Sequence, residues 1–128
     1  ASDILAKQSA STDNKRADLD ALRQQAVEVR NALESGDHST VGQLLDSSWQ
    51  IKRNLVDGIT GVVLDEIYAS VIELGATGGK LLGAGGGGFF LFQGSSDIRA
   101  QVEKTHQVLS LVMDSAGSTI IFDDGSRL

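Results

Sequence analysis

The chain has no cysteine and no proline, and it carries single copies of tryptophan, tyrosine and methionine. Without cysteine there is no disulfide scaffold and no thiolate metal site, a composition that suits a reducing compartment and gives cytoplasmic as the expected location. Basic residues are also scarce. Eleven Lys+Arg stand against 17 Asp+Glu, a formal net charge of −6. Such a balance offers no basic stripe for nucleic acid. No apolar run approaches the roughly 18 residues of a membrane span, and no signal peptide is visible, so neither nucleic acid nor membrane is an expected partner. What remains is 41% apolar and 22% charged over 128 residues. That is one globular domain's worth of ordinary ordered protein, read as a single domain over 1–128.

Glycine is the residue in excess, at 15 of 128. Nine of these fall at 75, 78, 79, 83, 85, 86, 87, 88 and 94. The excess is therefore one motif, Gly75-Ala-Thr-Gly-Gly-Lys-Leu-Leu-Gly-Ala-Gly-Gly-Gly-Gly-Phe-Phe-Leu-Phe92.

Periodicity places the motif between a helical half and a shorter-period half. Leu22, Ala26, Val29 and Leu33, widened by Leu19, predict one face of a helix from about 15 to 33, stopped by Gly36. Asp37 or Ser39 can cap a second helix whose buried side is Val41, Leu44, Leu45, Ser48, Trp49 and Leu55. After a turn bracketed by Gly58 and Gly61, the spacing of Val63, Ile67, Val71 and Leu74 predicts a third helix. Lys80-Leu-Leu and Phe89-Phe-Leu-Phe-Gln93 are dense and apolar and read as buried strands. Ser95-Ser-Asp97 starts a fourth helix, compatible with Ile98, Val102, Thr105 and Val108. Alternation at Leu109, Leu111 and Met113, then the β-branched run from Ser118 to Phe122, suggests two more strands. The expected class is α+β: N-terminal helices, then a ferredoxin-like β-β-α-β-β unit, with helices on one face of a small, mainly antiparallel sheet.

A glycine run before a strand lets the backbone adopt positive φ and approach another group closely. Each ordered glycine costs roughly 0.5–1 kcal/mol relative to alanine, so four in succession favour a reason beyond a simple turn. One reading is an anion nest made of successive amides; the other is a tight turn or bulge that packs a strand. Two familiar phosphate loops are excluded. Gly83, Gly85 and Gly88 satisfy G-x-G-x-x-G, but a strand follows where a dinucleotide fold needs a helix. Gly79-Lys80 is followed by Leu81, which offers no hydroxyl to magnesium as the Walker pattern requires.

The stretch Gly75 to Phe89 instead resembles the C-terminal glycine-rich motif of the GHMP kinases, closest to the D-glycero-D-manno-heptose 7-phosphate kinases and fucokinase-like sugar kinases. Ser48-Trp-Gln-Ile-Lys-Arg-Asn-Leu55 is similar to that branch's Trp-x-x-Lys-Arg-x-Leu segment. Gly58-Ile-Thr60, Asp65-Glu-Ile-Tyr68, Ala1-Ser-Asp-Ile-Leu5 and Gly117-Ser-Thr-Ile-Ile121 also fit.

The resemblance implies an ATP-dependent phosphotransferase acting on a sugar or sugar phosphate, with ATP and Mg²⁺ as cofactors of the complete enzyme. The family's N-terminal domain carries the main phosphate loop and the catalytic groups. The lack of proline excludes its Pro-x-x-x-Gly-x-Gly-Ser-Ser-like segment here. The chain is thus expected to be the C-terminal domain, partnered by an N-terminal kinase domain, inactive alone and without tightly bound cofactor.

Carried over by position, Gly83, Ala84, Gly85, Gly86, Gly87 and Gly88 form the loop facing the active-site cleft. Lys80 is either a phosphate contact or a snorkelling surface lysine. Lys52 and Arg53 either reach a sugar phosphate or lie on a solvated helix face. Trp49 reads as core or interface filler more readily than as a sugar platform. His38 and His106 have no metal spacing and read as surface residues. Asp123-Asp124 reads as a solvated terminus more readily than as a magnesium site. No catalytic or metal-ligating residue is expected in this chain. Part of the sheet edge or loop is expected to be uncovered, or covered by self-association into a homo-oligomer. The alternative function is a non-catalytic ferredoxin-like regulatory or ligand-binding module, which would have no need of the loop in this form.

Overall fold

A computed structural model describes residues 3–4, 15–111 and 117 of the chain. Within 15–111 it contains four helices, α1 (Arg16–Ser35), α2 (His38–Arg53), α3 (Val62–Glu73) and α4 (Ser96–Val102), and two strands, β1 (Gly78–Leu81) and β2 (Phe90–Gln93). The protein is α+β. None of the described helices is long and apolar enough to cross a membrane.

The α1–α2 hairpin follows from its punctuation. Gly36 ends α1 in the left-handed region at φ 74°, where a glycine carries no Cβ penalty. Asp37 caps α2, accepting from the Thr40 amide at 3.1 Å. The Thr40 hydroxyl, and after it that amide, lower the Asp37 carboxyl below its ordinary value.

The buried stripe of α1 is turned slightly from the expected one. Leu22 and Val29 face inward, with Ala32 buried, whereas Ala26 and Leu33 are exposed. A polar group explains the turn: Gln25 is half-buried against α2, donating to Ser47 and accepting from Ser48, both at 2.7 Å. A paired glutamine can replace an apolar residue on the inner face. In α3 the inner face is Leu64, Ile67, Tyr68 and Val71, and Val63 is exposed.

Helix α2 lies against both strands, and α1 packs on α2. The strands pair antiparallel with Gly79 opposite Phe92 and Leu81 opposite Phe90. Phe90 and Phe92 join Trp49 and Tyr68 in an aromatic cluster, in which Trp49 meets Phe90 edge-on at 5.7 Å. Around it, Leu55, Ile59 and Leu81 complete a core whose innermost members, Trp49, Ile59 and Leu81, are fully buried.

Two glycines set the seat of α2 on β1. A Cβ on Gly78 would overlap the Gly42 carbonyl, and one on Gly42 would overlap Thr77. Backbone meets backbone here because neither residue has a side chain.

Helix α4 is shorter than its apolar spacing suggests, ending at Val102, with Ser95 as its N-cap. Beyond it, residues 109–111 are neither helix nor strand. The rest of the strand expected at 109–114, the final strand expected at 118–122, and Asp123-Asp124 lie outside the described residues. The described sheet has two strands, and the ferredoxin-like order of the remaining elements is not part of it.

Candidate functional site: a glycine loop fixed to the core

Strands β1 and β2 are joined by residues 82–89, closed at the neck by the Leu82 amide donating to the Phe89 carbonyl at 2.9 Å. Between them the backbone takes conformations that side-chain-bearing residues rarely adopt. The φ angles are 79° at Gly83, 113° at Gly85, 73° at Gly86, 152° at Gly87 and 120° at Gly88. The glycines are thus a geometric requirement of this loop.

The loop is seated on the turn between α2 and α3. Gly86 donates its amide to the Ile59 carbonyl at 2.9 Å. Gly85 is buried, and a Cβ there would stand 2.9 Å from Ile59 Cα. A Cβ on Gly86 would stand 2.8 Å from Ile4 Cδ1. Gly83 and Gly87 face open space. The amides of Gly85, Gly87 and Gly88 have no backbone acceptor among the described residues. The loop therefore has a floor pinned to the core and an outer surface of backbone.

The cationic residues occupy different positions around it. Lys52, half-buried at the end of α2, donates to the Leu81 carbonyl at 3.1 Å and to the Gly83 carbonyl. Burial lowers its pKa below the ordinary lysine value, and the positive charge of Lys80 lowers it further. Lys80 itself, opposite Leu91 on β1, is lowered by burial. Arg53 turns the other way. Its guanidinium pairs with Asp65 at 2.5 Å and lies 5.7 Å from the centroid of the Trp49 ring. Asp65 also accepts from the Thr60 hydroxyl at 2.6 Å. Lys52 and Lys80 thus gather at the loop, and Arg53 belongs to the turn beneath it. Trp49 is fully buried in the core.

Some parts of the site were invisible to pattern reading. The seat on Ile59 and the Arg53–Asp65–Thr60 relay join residues distant in sequence. Gly58-Ile-Thr60 and Asp65-Glu-Ile-Tyr68 stood out only as matches to a family, and Arg53 as a substrate contact or a solvated cation. Just outside the loop, Leu82 and Phe89 leave large apolar side chains 43% and 58% exposed. The described residues include no cluster of three or more His, Cys, Asp or Glu that could hold a metal ion.

Comparison with known proteins decides the family. Residues 29–108, more than half of the chain, match the model of the GHMP kinases C terminal family. The chain belongs to this family. It is also 36% identical, over 74 residues, to the D-glycero-alpha-D-manno-heptose 7-phosphate kinase of Campylobacter jejuni subsp. jejuni serotype O:2. That match covers 58% of this chain and 22% of the relative, so the chain spans about a fifth of the length of the curated protein it matches. The GHMP match includes α2, α3, both strands and the whole glycine loop. Parentage in a kinase family follows, which favours the phosphotransferase reading over the regulatory module.

Proposed function

We propose that this chain is the C-terminal domain of an ATP-dependent sugar kinase that phosphorylates a heptose 7-phosphate or a closely related sugar phosphate. It supplies the loop Gly83 to Gly88 to the active-site cleft. The observation that carries the reading is the loop itself: five glycines at positive φ, fixed to Ile59, in a GHMP C-terminal domain. Amides without a backbone acceptor among the described residues, on a preorganised loop, suit an anion whose charge is redistributed during phosphoryl transfer.

ATP and Mg²⁺ are the cofactors of the complete enzyme. The residues fit the nucleotide's anionic end rather than the ion. Backbone N–H groups and the Lys52 and Lys80 ammonium groups favour phosphate, and Mg²⁺ commonly keeps few protein ligands while bridging phosphates. Lys80 is the side chain best placed for a secondary substrate contact, since Lys52 and Arg53 already hold backbone and carboxylate partners. The N-terminal kinase domain of the same parent chain is the partner. It would cover Leu82 and Phe89, whose apolar surface flanks the loop. The complete protein is placed in the cytoplasm, where ATP and sugar phosphates are available.

Alone, the chain has no kinase activity, because positioning and electrostatics must come from both sides of the cleft. The test is an ATP-turnover assay with D-glycero-D-manno-heptose 7-phosphate on the chain alone and on its two-domain parent. Turnover by the parent only is the expected result. Turnover by the chain alone would refute its inactivity, and a parent inert towards sugar phosphates would refute the kinase reading.

A further inference from the structure

Two consecutive side chains at the end of α2 bear on the glycine loop by different routes, Lys52 directly and Arg53 through the turn on which the loop is seated. Lys52 caps the first limb on both sides of the closing hydrogen bond at Leu82, giving two of its three N–H donors to the carbonyls of Leu81 and Gly83. Arg53 braces the turn that carries the acceptor of the second limb. It grips Asp65, which also holds the Thr60 hydroxyl, and Thr60 adjoins Ile59, the acceptor of the Gly86 amide. Adjacent residues on a helix diverge by about 100°, so one dipeptide can serve both directions.

We propose that Lys52 and Arg53 are positioning residues that clamp the glycine loop from both limbs, making the end of α2 the element that sets the loop's shape. This rests on the reading of the loop as a phosphate-facing element for its functional meaning, but not for its geometry. The clamp answers a physical need. A chain of glycines has the largest conformational freedom of any backbone, and an ordered loop must be held by contacts that its own side chains cannot supply. The carbonyl of Leu81 is drawn towards the Lys52 ammonium while the N–H of the same trans peptide, that of Leu82, donates to the Phe89 carbonyl, so that peptide is held at both ends. A cation at the neck also adds favourable potential for an anion at the loop without touching it.

The experiment uses the full chain, isotope-labelled for NMR. In Lys52→Met the Gly86 amide should exchange with solvent about tenfold faster than in the unaltered chain, while interior amides of α1 keep their protection. Asp65→Asn, which weakens the Arg53 arm, should do the same. Lys52→Arg should restore protection, because a guanidinium can donate to two carbonyls. A pH series supplies a readout that packing alone would not move. The carbonyl carbon shifts of Leu81 and Gly83 should titrate together with Lys52 Nζ, below the ordinary lysine value, and the step should vanish in Lys52→Arg. Lys80 on β1 is the charged group acting on Lys52 among the described residues, so Lys80→Met should move that step upward.

Unchanged Gly86 exchange in Lys52→Met, or carbonyl shifts indifferent to Lys52's titration, would overturn the clamp. The second measurement uses the unaltered fold and so stands even if Lys52→Met fails to fold. The phosphate reading is tested separately with inorganic phosphate, which should shift the amides of Gly85, Gly87 and Gly88. A clamped loop that ignores phosphate would refute that reading and leave the clamp intact.

Discussion

The Gly86 amide donates to the Ile59 carbonyl at 2.9 Å, and Ile59 is fully buried. A loop rich in the residue with the greatest backbone freedom is thereby tied to the buried core. Gly85, the preceding residue, lies against Ile59 and has φ 113°.

This contact separates two superficially equal substitutions. Gly83→Ala places its methyl in open space and meets only the backbone penalty of positive φ, about 1–2 kcal/mol. Gly85→Ala meets that penalty and also drives Cβ to 2.9 Å from Ile59 Cα. The added overpacking brings the total to about 3 kcal/mol. Urea unfolding of both variants should give Gly85→Ala the larger loss. Equal losses would show that the loop is not pressed on Ile59.

The helix–strand contact at Gly42 and Gly78 gives a second prediction. A methyl at Gly78 cannot fit unless α2 moves off β1, because the atom it meets is a backbone carbonyl. Gly78→Ala should cost about 3 kcal/mol or more by overpacking. Gly61→Ala is the control. Gly61 is extended at φ −172° and its added methyl meets nothing within 4 Å, so its thermal midpoint should barely change. A Gly78→Ala midpoint near that of the unaltered chain would count against the close approach.

The sequence displays the elements more readily than their orientation. Local signals sufficed where local physics decides: Gly36 and Asp37 punctuate the α1–α2 hairpin, and the glycine run announces backbone that only glycine tolerates. The rotation of α1 was not readable, because it turns on Gln25 bonding two serines 22 and 23 positions away. Hydropathy assigns glutamine to solvent and has no means of seeing that partner. The same holds for Lys52. On a helix wheel it reads as a solvated cation or a substrate ligand, whereas its acceptors are carbonyls about 30 residues further on. Gly78 and Gly79 counted as part of the loop motif, yet both lie within β1, and Gly78 serves helix packing.

Trp49 supports a third prediction, on stability. Its ring is fully buried, and its indole N–H has no hydrogen-bond partner among the described residues. Trp49→Ala should cost about 4 kcal/mol through cavity formation. Trp49→Phe should cost much less, about 1 kcal/mol, since losing a buried unpaired donor offsets part of the lost contact. Near-ultraviolet circular dichroism and urea midpoints would check the order. A Trp49→Phe variant as damaged as Trp49→Ala would imply that the indole N–H is satisfied.

Alkaline pH should act on stability in two opposite senses. Lys52 and Lys80 are both pulled below the ordinary lysine value of 10.5, chiefly by burial. Between their folded values and 10.5 the unfolded chain binds more protons, so stability rises with pH in that interval. Tyr68 has the reverse sign. Burial first, then its hydrogen bond to Asp46 at 2.5 Å, pushes its hydroxyl well above the ordinary value of 10.0. Its protonated form is favoured in the fold, so stability falls once pH passes 10.0 and the unfolded tyrosine ionises. Unfolding free energies from pH 7 upwards should therefore climb and then turn down near the tyrosine range. Lys80→Met should flatten the climb, and Tyr68→Phe should remove the descent while losing about 1 kcal/mol at neutral pH for the missing hydrogen bond. A descent that persists in Tyr68→Phe would assign it to another group, because Tyr68 is the chain's single tyrosine.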